Sequence, residues 1–236
     1  MISTPNALRA GIAVLAISLL AGVAQAEVDH DAIFEEAVQA LNNNYRQSWA
    51  FTETSVETEA VLVGRFDPRR PSGERWTLLS VDDREPTADE IEDYLDDRDD
   101  DEGEENTDSV DIMVEDGSLV LLEETDEHYL YSFTPSGNDE GFMEHVDATI
   151  KIVKDGPYIE YIDLQASKPF RPQFGVKVSE FTTRMGFGPA AEGGPIVPRL
   201  VDIRVKLRAF VVINVDEKNF ISYSDYEFVG DGQEGT

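Results

Sequence analysis

Residues 200 to 209, LVDIRVKLRA, alternate without a break, with Val201, Ile203, Val205 and Leu207 on one side and Asp202, Arg204, Lys206 and Arg208 on the other. A two-residue period belongs to a β-strand and conflicts with the 3.6-residue period of a helix. One face of such a strand is buried and the other is wet, as in an antiparallel sheet packed on one side. Shorter runs of the same kind recur from Ser48 onward. Trp49 and Phe51 lead into AVLVGRFD, where Ala60, Leu62 and Phe66 share a side, and RWTLLSV follows the Pro71-Ser72-Gly73 break. VDIMV, SLVLLE, HYLYSFT, VDATIKIV, YIEYIDLQA, VKVSEFTTRM and KNFISYSDYEF continue the series, and Lys154-Asp155-Gly156-Pro157 is a hairpin signal between two of them.

Two segments read as helices. In DHDAIFEEAVQALNNNYRQ, Ile33, Phe34, Ala37, Val38 and Leu41 share one face, and Asp29 or Asp31 can cap the start. In PTADEIEDYLDD the face is narrower, formed by Ile91, Tyr94 and Leu95, and the helix is expected to fray after residue 97 into LDDRDDDEGEEN. The fold class is α+β, mainly antiparallel β. We expect an incomplete, half-open β-barrel of about 10 to 11 strands covered by two or three helices.

The first 26 residues read as a signal peptide, because Arg9 precedes the apolar run AGIAVLAISLLAGV and Ala24-Gln25-Ala26 follows it. That run is too short to span a bilayer. Cleavage near Ala26 leaves 27 to 236 as a single domain, soluble and periplasmic, with no transmembrane span and no Cys for a lipid anchor or a disulfide.

A formal net charge of −30 opposes binding to nucleic-acid phosphates and to an anionic lipid surface. The acid is concentrated: residues 82 to 127 hold 23 Asp and Glu against only Arg84 and Arg98, whereas 141 to 236 hold 14 acids against 11 bases. Residues 96 to 108 form an acidic insertion. Tested as a calcium loop with Gly103 at position 6, it places Arg98 at position 1 and Ser109 at position 12, so two ligand positions fail. Adjacent carboxylates repel, and a solvated segment is expected.

Catalytic motifs are missing. There is no thiol, and His30, His128 and His145 lack metal-ligand spacing. No nucleophile elbow is present, and GFGPAAEGG breaks both nucleotide fingerprints at Pro189 and reads as a loop. A hydrolase using two carboxylates would need a pair that nothing in the sequence selects. We therefore expect no enzyme, no cofactor and no metal site. The stronger signal is apolar: Trp49, Phe51, Leu62, Phe66, Trp76, Leu78, Val201, Ile203, Val205 and Leu207 should share the inner face of the sheet. Each is a core residue in the plain reading and a lining residue if the concavity is open.

An exported precursor, an amphipathic helix leading into the aromatic strand from Tyr45 to Phe51, an unclosed meander, inserted helices and a terminal aromatic strand together make a familiar layout. Over residues 29 to 228 it resembles the periplasmic lipoprotein-carrier superfamily of the LolA and LolB type. The resemblance implies an incomplete barrel with helices as a lid, and a habit of binding acyl chains. It does not extend to the acidic insertion, nor to a lipid-anchor Cys. The expected function is a soluble periplasmic binding or carrier protein for a lipid or other apolar small molecule. The alternative is a cell-envelope interaction module with a filled core, whose acidic insertion recruits a protein partner or cations.

Overall fold

The computed structural model describes residues 28–41, 43–57, 60–102, 114–136, 140–210 and 212–230. The expected signal peptide and residues 103 to 108 of the acidic insertion lie outside them, while residues 96 to 102 of that insertion are described. Among the described residues no helix is long and apolar enough to cross a membrane.

Helix α1 (His30–Gln39) starts where expected, with the Asp29 side chain accepting from the Ala32 backbone N–H at 3.1 Å. Phe34 and Ala37 are buried, and Ile33 and Val38 pack beside them. A hydrogen bond of 2.8 Å joins His30 Nδ1 to the Tyr131 hydroxyl and ties the helix to the sheet. A single turn, α2 (Tyr45–Ser48), leads into β1 (Trp49–Val56), β2 (Val61–Phe66) and β3 (Trp76–Val81). Helix α3 (Ala88–Glu102) follows, then β4 (Val120–Glu124), β5 (His128–Phe133) and the turn α4 (Glu140–Met143). The chain closes with β6 (Val146–Val153), β7 (Tyr158–Ala166), β8 (Val176–Pro189), β9 (Ile196–Ala209) and β10 (Ile213–Phe228).

All ten strands form one antiparallel sheet in the order β3-β2-β1-β10-β9-β8-β7-β6-β5-β4. The expected hairpin joins β6 to β7, and the alternating run lies in β9 at the centre. Residues 186 to 189, expected in a loop, extend β8 instead, pairing with 196 to 200. Of VDIMV, only Val114 is described, and it forms an isolated bridge to Pro135.

The expectation of a half-open barrel covered by two or three helices is corrected. The sheet is open, with β3 and β4 as its edges about nine inter-strand steps apart, or roughly 43 Å at about 4.8 Å per step. Helical cover is local. α2 and α4 are single turns, and a helix about 10 Å wide spans only about two strands. α1 lies against β7 and α3 against β3, so the inner face has two separate cores. One gathers Phe34, Ala37, Tyr131, Ile150, Ile162 and Leu164 around α1; the other gathers Tyr45, Phe51, Phe66, Trp76 and Tyr94 around α3.

The second helix does not fray at 97 but runs to Glu102. Its start is a reciprocal cap in which the Thr87 N–H donates to the Glu90 carboxylate at 2.8 Å and the Glu90 N–H donates to the Thr87 hydroxyl at 3.3 Å. Arg84 adds a bond to the same carboxylate at 2.9 Å. The Arg84 bond foremost, and then Thr87, hold the Glu90 carboxyl down from 4.5 to about 2. A carboxyl lowered on folding adds stability above its unfolded value and loses it as pH falls through the folded one. Acid titration followed by far-ultraviolet circular dichroism should therefore show a loss of α3 between about pH 4.5 and 2. Glu90→Gln should remove that part of the transition while lowering stability at pH 7.

Candidate functional site on the inner face of the sheet

By strand register, the ten residues named as lining candidates lie on one face of the sheet, β1 joining β10 through Glu53 opposite Tyr223 and Ser55 opposite Ile221. Phe51 pairs with Phe66 and Phe66 with Trp76, while Val201, Ile203, Val205 and Leu207 pair with Ile221, Asn219, Glu217 and Val215 of β10. Their surroundings differ. Phe51, Phe66, Trp76 and Leu78 are buried in the core around α3, with Trp49 and Leu62 packed against it. Phe51 stacks on Phe66 with ring centroids 5.1 Å apart and meets Trp76, Tyr223 and Tyr226 at 5.5 to 5.8 Å. A ligand reaching Phe51 would have to displace this aromatic packing. Val201, Ile203, Val205 and Leu207 belong to neither core and are half-buried along the middle of the sheet.

That stripe has an apolar margin on β8, where Met185, Phe181 and Val178 stand opposite Val201, Val205 and Leu207. On β10 its margin is mixed, since Ile221 and Val215 flank Asn219 and Glu217. The Ser55 hydroxyl donates to the Asn219 side chain at 3.3 Å, extending the polar margin onto β1. The opposite face of the sheet is wet and carries ion pairs: Arg184 with Asp163, Arg204 with Asp202, Lys206 with Asp216 and Lys151 with Glu160.

Sequence reasoning missed Glu53 and Arg98. Glu53 follows Phe51 by two residues, so alternation turns its carboxylate onto the apolar face, where it is 2% exposed. Arg98 reaches it from α3 in a salt bridge. The guanidinium lies 4.7 Å from the centre of the Trp76 ring and 5.1 Å from that of Tyr94. Arg46 stands 6.0 Å from the Trp76 ring. Burial pushes the Tyr94 phenol up to about 12, and it raises Tyr223 as well. The signal was present: a glutamate in register with Phe51 requires a partner, and Arg84 and Arg98 are the two cations of the acid-rich segment.

Beside this pair a cleft of about 290 Å³ opens between α3 and the first strands, lined by Leu62, Val81 and Tyr94 together with Glu57, Glu90, Asp93, Asp97 and Arg98. Leu62 reaches it, but its mouth is acidic. Close approach of α3 depends on Gly64, because a Cβ there would lie 2.0 Å from the Tyr94 hydroxyl oxygen. Among the described residues no group of three or more His, Asp or Glu could hold a metal ion. His30 and His128 are engaged with Tyr131 and Thr125, and the His145 ring lies 4.6 Å from that of Phe170.

Removing one member of a buried ion pair leaves the other uncompensated, at a cost of about 3 to 5 kcal/mol. Arg98→Ala should lower the urea-unfolding free energy by about that amount. The paired replacement Glu53→Leu with Arg98→Met should recover most of it. Equal losses in the single and double variants would show that Arg98 acts through its ring contacts alone.

No family model matches the chain, and neither the search of curated proteins nor that of solved structures returns a match.

Proposed function

We propose that this is an exported, non-enzymatic binding or carrier protein whose ligand is lipid-like, with an apolar chain and a hydrogen-bonding end. The supporting observation is the half-buried stripe of β9, Val201, Ile203, Val205 and Leu207, between two filled cores. An acyl chain laid along it would remove apolar surface from water on both partners, worth about 25 cal/mol per Å². Asn219 and Glu217 on the adjacent strand offer the polar end an acceptor-rich margin. The architecture invoked is the open sheet itself, and kinship with the periplasmic lipoprotein carriers is part of the proposal.

A second reading is an envelope interaction module that recruits a basic partner. It is favoured by the exposed acids of α3, among them Asp89, Glu92, Asp93, Asp96 and Asp97. Replacing Asp89, Glu92, Asp93, Asp96 and Asp97 by their amides tests it better than a deletion through the helix, because Arg98 holds Glu53 and must stay. Under this reading, capture of a basic envelope protein weakens steeply with salt and is lost with the five replacements.

Mass spectrometry of an organic extract of the natively purified protein should find a bound lipid. A fluorescent long-chain alcohol, whose hydroxyl can donate to the acceptor-rich margin, should shift its emission when added after extraction, and Val205→Glu should abolish the shift with little change in the unfolding midpoint. Protein that carries no extractable lipid and leaves the fluorophore unchanged would sink the carrier reading.

A further inference from the structure

The three central strands outrun their neighbours. Pairing of β8 with β7 stops at Thr182, and pairing of β10 with β1 stops at Phe220. Residues 176–181, 203–209 and 213–219 therefore continue as a three-stranded finger of about six residues, roughly 20 Å at about 3.3 Å per residue. The segment before β8 folds back along the finger, with Phe170 and Val178 exchanging backbone hydrogen bonds at 3.0 Å. The finger is backed for most of its length: Val178, two residues from the start of β8, is buried, and Phe142 packs on both Phe170 and Phe181 with centroids 5.0 and 4.9 Å apart.

At the far end the pattern inverts. Phe174 is 95% exposed, Val212 79%, Phe210 63% and Ile213 54%. They come from two adjacent turns that are tied together, since the Phe210 N–H donates to the Gly175 carbonyl at 2.8 Å. Gly175 has φ +83°, and a Cβ there would lie 2.7 Å from the Phe210 ring, so a glycine is required for that ring to lie as it does. The exposed apolar tip is thus held in place by its own backbone.

Charge reverses at the same place. Residues 168–181 and 204–219 carry seven bases against three acids, in a chain of formal net charge −30. Of those acids, Asp216 is held by Lys206 at 2.6 Å. Lys177 and Arg208 are direct cross-strand partners close to the tip. The net charge of the whole chain opposes an anionic surface, but at physiological salt charges are screened beyond about 8 Å. Residues 170 to 177 and 207 to 215 at the tip carry Arg171, Lys177 and Arg208 and no acid, so the tip meets a surface with its own charge.

We propose that this tip docks the protein on a bilayer containing anionic phospholipid. Phe174, Phe210, Val212 and Ile213 enter the interfacial layer, while Arg171, Lys177 and Arg208 meet the headgroups. A convex apolar end ringed by cations suits a deformable anionic interface. Two copies joined tip to tip would bring their cations together.

The full chain, lacking only its leader, is floated with vesicles of phosphatidylglycerol and phosphatidylcholine, and with phosphatidylcholine alone. Flotation is expected with the mixed vesicles only, and it should weaken with added salt. Phe174→Ser with Val212→Ser should weaken it about tenfold or more, since each removes an inserted side chain. Lys177→Glu should also weaken it, and Val212→Trp should shift its emission to the blue on mixed vesicles only. All three alterations lie in exposed positions, and unchanged circular dichroism confirms folding. Absence of flotation by the wild-type protein overturns the proposal, as does equal flotation by the double serine variant. Sedimentation showing a dimer that the serine variant loses, without vesicle binding, assigns the tip to a second copy instead. Binding of the fluorescent long-chain alcohol by the same variants should stay intact, which separates this result from failure of the carrier reading.

Discussion

Ten strands present one apolar face, and among the described residues only two helices longer than a single turn are available to cover it. The mismatch of area organises the rest of the structure. α1 and α3 settle over opposite flanks, each completing a core with the aromatic and branched residues beneath it, and the central strands are left half-covered. A filled flank and a bare centre follow from the same shortage. The apolar stripe on β9 lies in the uncovered region, and the finger continues it beyond the neighbouring strands.

Electrostatics is divided among separate parts of the molecule. The wet face of the sheet carries mixed ion pairs, which are exposed and contribute little to stability. The acid-rich segment repels itself, so α3 depends on the two cations within it. Arg84 secures its first turn through Glu90, and Arg98 secures its body through Glu53. A buried pair is costly to desolvate, and its clearest use is to select one docking position for the helix over others. The third part is the finger, where bases outnumber acids and where a whole-chain net charge misstates the local field.

Local signals in the sequence were reliable where the physics is local. Asp29 capping Ala32, the turn at residues 154 to 157 and the alternation from Val201 to Leu207 each depend on residues within a few positions of one another. The shared inner face of the ten candidate residues was also legible, because a period of two admits only two sides. Which of those residues a helix would cover was not. Phe51 and Val205 look alike in the sequence, yet one is sealed among Tyr45, Phe66, Trp76, Tyr223 and Tyr226 and the other lies between the two cores.

Barrel closure, the length of α3 and the pairing of Glu53 with Arg98 depend on contacts between distant segments, which no periodicity reports. Alone, the sequence determined that this chain is a one-sided antiparallel sheet with acid gathered in one stretch, since strand period and composition are properties of neighbours along the chain. Only the tertiary structure decided that the sheet stays open, that two helices cover its flanks, and that Phe174 and Phe210 meet at one projecting end. Those outcomes depend on strand order and on how much area each helix can cover, both of which arise only when the segments are brought together in space.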